Sequence, residues 1–165
     1  MNTMKLDKGK YEAAVLYFIK NCNSHLGKEK LNKLLYYLDF VSYRDRKKSV
    51  TGDTYIHDDY GPVPSNTEEI LARLKEEGKI RIDFDPTYKA NGKYSFVALS
   101  DPNENVLDVY EKKIIDEICS FFSTWSTDEI ITQTHLEAPW FYSKPYDIVD
   151  YNYSTDIDFF QSATA

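Results

Sequence analysis

Cysteine is nearly absent from this 165-residue chain: Cys22 and Cys119 are the only two. Two widely separated thiols exclude a disulfide framework and any four-cysteine zinc site. Both fall inside helical apolar patterns and are expected to be reduced, buried and cytosolic. Histidine is equally scarce. His25, His57 and His135 are too far apart in sequence for a helical pair of metal ligands. Glycine and proline number six each, and no glycine-rich phosphate loop and no Gly-x-Ser-x-Gly turn occurs. There is no run of about 20 apolar residues, so no membrane-spanning helix is expected. The start is polar and lysine-bearing without an apolar stretch behind it, so no secretory signal is expected either. No cofactor or metal, and no enzymatic activity, is predicted.

Acid and aromatic residues are plentiful. Twenty basic residues stand against 27 acidic ones, net charge −7, and the chain holds 14 Tyr, 9 Phe and 2 Trp. A general nucleic-acid binder reads the other way, so direct nucleic-acid binding is not expected. The charge is split along the chain. Residues 1–50 carry 11 basic and 5 acidic groups, and residues 51–165 carry 9 and 22. The basic half ends in Arg44, Arg46, Lys47 and Lys48, which reads as the solvated end of a helix. Tyrosine combines a large apolar face with a polar tip, which suits a surface that is wet alone and dry in a complex.

Periodicity assigns most elements. Tyr11, Val15, Phe18, Ile19 and Cys22 form one helical face, ended by Asn23, Ser24 and Gly27. A second helix begins near Lys28, with Leu31, Leu34, Leu35, Leu38 and Val41 widened by Tyr36, Tyr37, Phe40 and Tyr43. A helix apolar on so many sides is central, or lends one side to a partner. Thr54 to Ile56 favour an extended run, after which Gly61, Pro62 and Pro64 predict a fixed turn. Ser65 with Glu68 predicts a capping box opening a short helix that Gly78 ends. Ile80–Phe84 and Tyr94–Ala98 alternate and predict a hairpin. A long helix is predicted from about Ser100, with Leu107, Tyr110, Ile114, Ile118 and Phe121 facing inward. Ser126 with Glu129 predicts another capped helix, stopped by Pro139, with His135 donating to its last carbonyls.

From Ser143 the chain mixes acids with aromatics and has no period. This predicts a domain over residues 1–142 and an acidic, aromatic strap or tail over 143–165. The fold class expected is α+β: a single, mainly helical domain with a small antiparallel β-sheet or hairpin. A winged-helix reader is disfavoured, because the helix before the hairpin carries Glu68, Glu69, Glu76 and Glu77 and would repel phosphate. His57, Asp58 and Asp59 form a local cluster suited to a cation or to acid–base work, but adjacent acids before a turn are commonly plain solvated loop.

Three stretches then stand out: Lys30-Leu31-Asn32-Lys33-Leu34-Leu35-Tyr36-Tyr37, Tyr60-Gly61-Pro62-Val63-Pro64, and Thr134-His135-Leu136-Glu137-Ala138-Pro139-Trp140. In this order and spacing the chain resembles the Panacea domain of SocA-like antitoxins in prokaryotic toxin–antitoxin pairs. The resemblance implies a cytoplasmic protein that binds a cognate protein toxin and suppresses it. Some SocA-like relatives instead deliver their toxin to a protease. The contact face expected on this reading is Tyr36, Tyr37, Asp39, Phe40 and Tyr43, joined by Asp58, Asp59 and Tyr60. The alternative is a phage or prophage accessory protein, or a proteolytic adaptor, that binds a host protein. Homodimerisation through the same apolar face is a further expectation.

Overall fold

A computed structural model describes residues 4–22 and 25–160. The chain runs α1 (Lys8–Asn21), α2 (Lys28–Arg46), β1 (Tyr55–Asp58), β2 (Gly61–Pro64), α3 (Thr67–Glu76), β3 (Ile80–Asp85), β4 (Lys93–Ala98), α4 (Val109–Phe122), α5 (Thr127–His135) and α6 (Ala138–Phe141). Short 3-10 turns lie at Glu104–Val106 and Tyr151–Asp156. The strands form two antiparallel hairpins, β1–β2 and β3–β4. The class is therefore α+β and mainly helical, as the periodicity indicated.

The axis of the fold is α2. From Lys30 to Tyr43 every residue is buried, Asn32, Lys33, Asp39 and Ser42 included. Such a helix must find partners for its polar groups. Lys30 donates to the Trp125 carbonyl at 2.7 Å. Asp39 accepts from the Val50 and Thr51 amides, both at 2.8 Å, the Thr51 hydroxyl and the Tyr55 hydroxyl. Ser42 donates to the Lys48 carbonyl. On α1, Tyr11 donates to the Asp53 carboxylate at 2.6 Å. Asp53 also takes the backbone and side-chain amides of Asn66, the residue before α3.

Several local expectations need correction. Ser65 does not cap α3: its hydroxyl donates to the Thr54 carbonyl, and the helix begins at Thr67, with Asn66 before it making no side-chain cap. Gly61–Pro64 is a strand rather than a turn, with His57 opposite Pro62 and Tyr55 opposite Pro64. The two prolines cost no ladder bond on an edge that pairs no further among the described residues. The helix predicted from Ser100 starts at Val109, because Asp108 and Glu111 form the capping box there. Phe121 is exposed, and Phe122 is the buried ring. Pro139 sits inside α6, where a proline in the first turn loses no helical bond. The capping box of Ser126 and Glu129 forms as predicted, and both cysteines are free and buried. Asn23 and Ser24, expected to end α1, lie outside the described residues.

The basic end of α2 is only partly solvated. Arg46 reaches Asp108 and Glu111 and lies 4.1 Å from the centroid of the Tyr110 ring. Arg44 donates to the carbonyls of Ile157 and Phe159, each at 2.6 Å, and to that of Phe160. It therefore clamps the segment after Ser143 onto the body. Phe159 and Phe160 pack beside Phe121, Phe122 and Trp125. Further back, Tyr151 stacks on Phe40 at 4.3 Å. Residues 146–149 add to the free edge of β1, through His57 N–H to Asp147 O, Tyr146 N–H to His57 O and Val149 N–H to Tyr55 O.

Candidate functional site

The three sequence motifs, far apart along the chain, fold onto one another. Gly61 has φ +104°, the left-handed region that favours glycine. A side chain there would also collide: a Cβ would stand 2.5 Å from Thr134 Oγ1 and 2.9 Å from Lys33 Cε. Gly61 thus lets one residue from each motif meet at a point. The Lys33 ammonium donates to the Pro62 carbonyl at 3.2 Å. Burial lowers Lys33 to about 8, against the opposing pull of Glu29 and Asp58.

One turn further along α2, the Tyr36 and Tyr37 hydroxyls donate to the buried Glu137 carboxylate at 2.9–3.0 Å, and Gln133 adds a fourth bond at 3.2 Å. Desolvation lifts Glu137 to about 7 although these donors pull it down. Trp140 closes the arrangement. Its indole lies between His57, at 4.2 Å, and His135, at 4.0 Å, both rings nearly parallel to it. Its Nε1–H donates to the Asp58 carbonyl at 2.9 Å. His57 Nδ1 bonds the Ser143 hydroxyl at 2.7 Å. His135 is thus a stacking partner that meets the Asp59 backbone, not the predicted helix cap, and burial pushes its imidazole below the ordinary value.

His57 is buried against Trp140 and bonded to the Ser143 hydroxyl, whereas Asp59 is exposed at the hairpin tip. Among the described residues no group of three or more His, Cys, Asp and Glu side chains converges on a point that could hold a metal ion. No described helix is long and apolar enough to cross a membrane.

The expected contact face separates into two sets. Tyr36, Tyr37, Asp39 and Phe40 have no exposed surface, and Tyr43 is 7% exposed. These five are core and network residues, because packing on every side of α2 takes the sides that a partner would need. Asp58, Asp59 and Tyr60 lie at the tip of the β1–β2 hairpin, the last two exposed. Beside them the segment that follows Trp140 presents further aromatic rings, outside the expected contact face. Tyr60 (59% exposed), Phe141 (64%), Tyr142 (63%) and Tyr146 (65%) all face outward. The Tyr146 hydroxyl donates to Asp59 at 3.2 Å, joining the hairpin to this segment. Tyr142 packs against Phe141 and Tyr153. The exposed Asp147, Asp150 and Asp156 lie in the same segment. The aperiodic mixing of acids and aromatics was the available signal. It marked composition but not which rings face outward.

Against known proteins, residues 31–141 match the family model described as "Antitoxin SocA-like, Panacea domain". No curated protein and no solved structure matches the chain.

Proposed function

This chain belongs to the SocA-like antitoxin family with a Panacea domain, and on that premise we propose that it neutralises a cognate protein toxin in the cytoplasm by stoichiometric binding. The observation that carries this reading is the outward aromatic group of Tyr60, Phe141, Tyr142 and Tyr146, set among Asp58, Asp59, Asp147 and Asp150. Monomeric proteins seldom expose several large rings together without a partner for them. Rings of this kind act as anchors once desolvated. The carboxylates around them favour a basic counter-surface, such as the nucleic-acid-facing cleft of a toxin, and speed the encounter. The Lys33, Glu137 and Trp140 contacts hold the hairpin tip and the segment after α6 in one relative position, so little ordering is left to be done on binding.

The test is co-expression with the product of the neighbouring gene. Growth should be restored and the two proteins should co-purify in equal amounts. Failure of both would contradict the proposal. Recovery of a host protease or polymerase instead, with no small toxic partner, would favour the adaptor reading. Self-association is the competing use of the same rings. A dimer that the toxin dissociates would place both on one face.

A further inference from the structure

A second feature lies on the other side of the hairpin. The first turns of α2, the β1–β2 hairpin and the start of α3 line an open pocket of about 340 Å³. Lys28, Glu29, Asn32, Asp58 and Glu68 line it. Asn32 is only 1% exposed, yet its Oδ1 has no hydrogen-bond partner among the described residues, and neither has Glu29 Oε2. A buried acceptor without a donor costs about 1–3 kcal/mol. Lys30, Lys33, Tyr36, Tyr37, Asp39 and Ser42 on the same helix all find partners, so two orphaned acceptors lining one pocket call for a ligand.

The neighbouring donors are already committed. Lys28 pairs with Glu68. The Lys33 ammonium, on which Glu29 and Asp58 both act, donates to Pro62. Three carboxylates therefore face two ammonium groups, one negative charge in excess, and at least two acceptors wait for hydrogen atoms. Water could satisfy the amide but not the charge. A guanidinium satisfies both. It carries a fixed positive charge, offers five N–H donors in a planar fork, and accepts nothing.

We propose that this pocket receives an arginine side chain of the bound partner, with Asn32 Oδ1 at its buried end and the Glu29 and Asp58 carboxylates beside it. This inference rests on the toxin-binding reading for the owner of the arginine, but the pocket's preference for a guanidinium can be read on the chain alone. Titration of the purified chain with methylguanidinium, followed by the Asn32 side-chain amide signals, should give a saturable shift. Methylammonium and urea should bind at least tenfold more weakly. Equal responses to all three, or no response at Asn32, would overturn the assignment.

Two variants carry the test to the partner. Asn32→Leu removes the unsatisfied acceptor, so it should keep or raise the melting temperature while weakening methylguanidinium at least tenfold, read in this variant at the backbone amide signals of Lys28, Glu29 and Asp58. Glu29→Gln, at a partly exposed position, should weaken both methylguanidinium and the toxin by about tenfold or more. A wild-type chain that binds the toxin, with both variants binding it within twofold, would refute the arginine pocket and leave neutralisation standing. A wild-type chain that binds methylguanidinium but no toxin would do the reverse.

Discussion

On α2, Tyr36 and Tyr37 turn their hydroxyls onto a buried carboxylate, and Asp39 gathers four donors in the dry interior. At the hairpin tip and after α6 the same residue types face water. There Tyr60 and Tyr142 stand free of the core, and Asp59 holds the Tyr146 hydroxyl at the surface. The inner set spends its polar groups on one another and so specifies the fold. The outer set leaves its groups available, and the inner set keeps it in place. Composition alone does not separate the two. The number of elements packed around each segment does.

Substitutions that break this contrast should be very unequal. Phe40→Ala empties a fully buried site against Tyr36, Tyr55 and Tyr151. It should cost about 3–5 kcal/mol in urea denaturation, whereas Tyr142→Ala should change stability by less than about 0.5 kcal/mol. Equal costs would mean that the outer rings also belong to the core. Gly61→Ala comes next. It forces a side chain into positive φ and onto Thr134 and Lys33, and should cost about 2–3 kcal/mol and expose Trp140 to fluorescence quenchers.

The third prediction concerns pH. Burial raises Glu137 from 4.5 to about 7 and Asp39 from 3.8 to about 6. Folding therefore favours their protonated forms. The stabilisation is complete below the ordinary carboxylate values and is lost as the pH rises through 6 and 7. At about 1.4 kcal/mol per unit, Glu137 alone accounts for about 3 kcal/mol. His135, held below its ordinary value, works in the opposite sense on the acid side. Comparison with Glu137→Gln isolates the carboxylate: the wild type should lose stability relative to this variant between pH 5 and pH 8. Parallel curves would show that Glu137 is not buried as described.

The smallest effects on stability belong to the outer set, where the effects on binding should be large. Tyr146→Phe removes only the bond to Asp59, and should leave the melting temperature within about 2 °C for a domain of this size. Tyr142→Ala should combine near-native stability with a clear loss of toxin affinity. A stable variant with full affinity would remove that ring from the contact face.

The helices of the core were legible because their apolar residues recur every three or four positions. Ser126 with Glu129 was legible because a capping box is a local device. Ser65 with Glu68 shows the same pattern and fails, since Asp53 and Thr54, reached only through the tertiary fold, take the groups first. The late start of α4 has a local cause, a better box at Asp108 and Glu111. The burial of Tyr36, Tyr37 and Phe40 depends on Glu137 and Tyr151, about a hundred residues away, and that of Asp39 on Val50, Thr51 and Tyr55 folding back onto α2. A helical stripe reveals that a face is apolar without revealing whether its own chain or a partner covers it. The meeting of Lys33, Gly61 and Thr134 is likewise a long-range event that no spacing encodes. The three motifs nonetheless marked its participants.

The proposed toxin-binding surface is the hairpin tip together with the segment after α6. Calorimetric titration of the purified toxin into the wild-type chain and into the double variant Asp59→Lys/Tyr60→Ala, at low and moderate salt, tests this directly. Binding through this surface should give one toxin per chain, weaker binding at higher salt, and at least a tenfold loss of affinity in the variant with an unchanged melting temperature. A variant that binds as tightly as the wild type at both salt concentrations would contradict it.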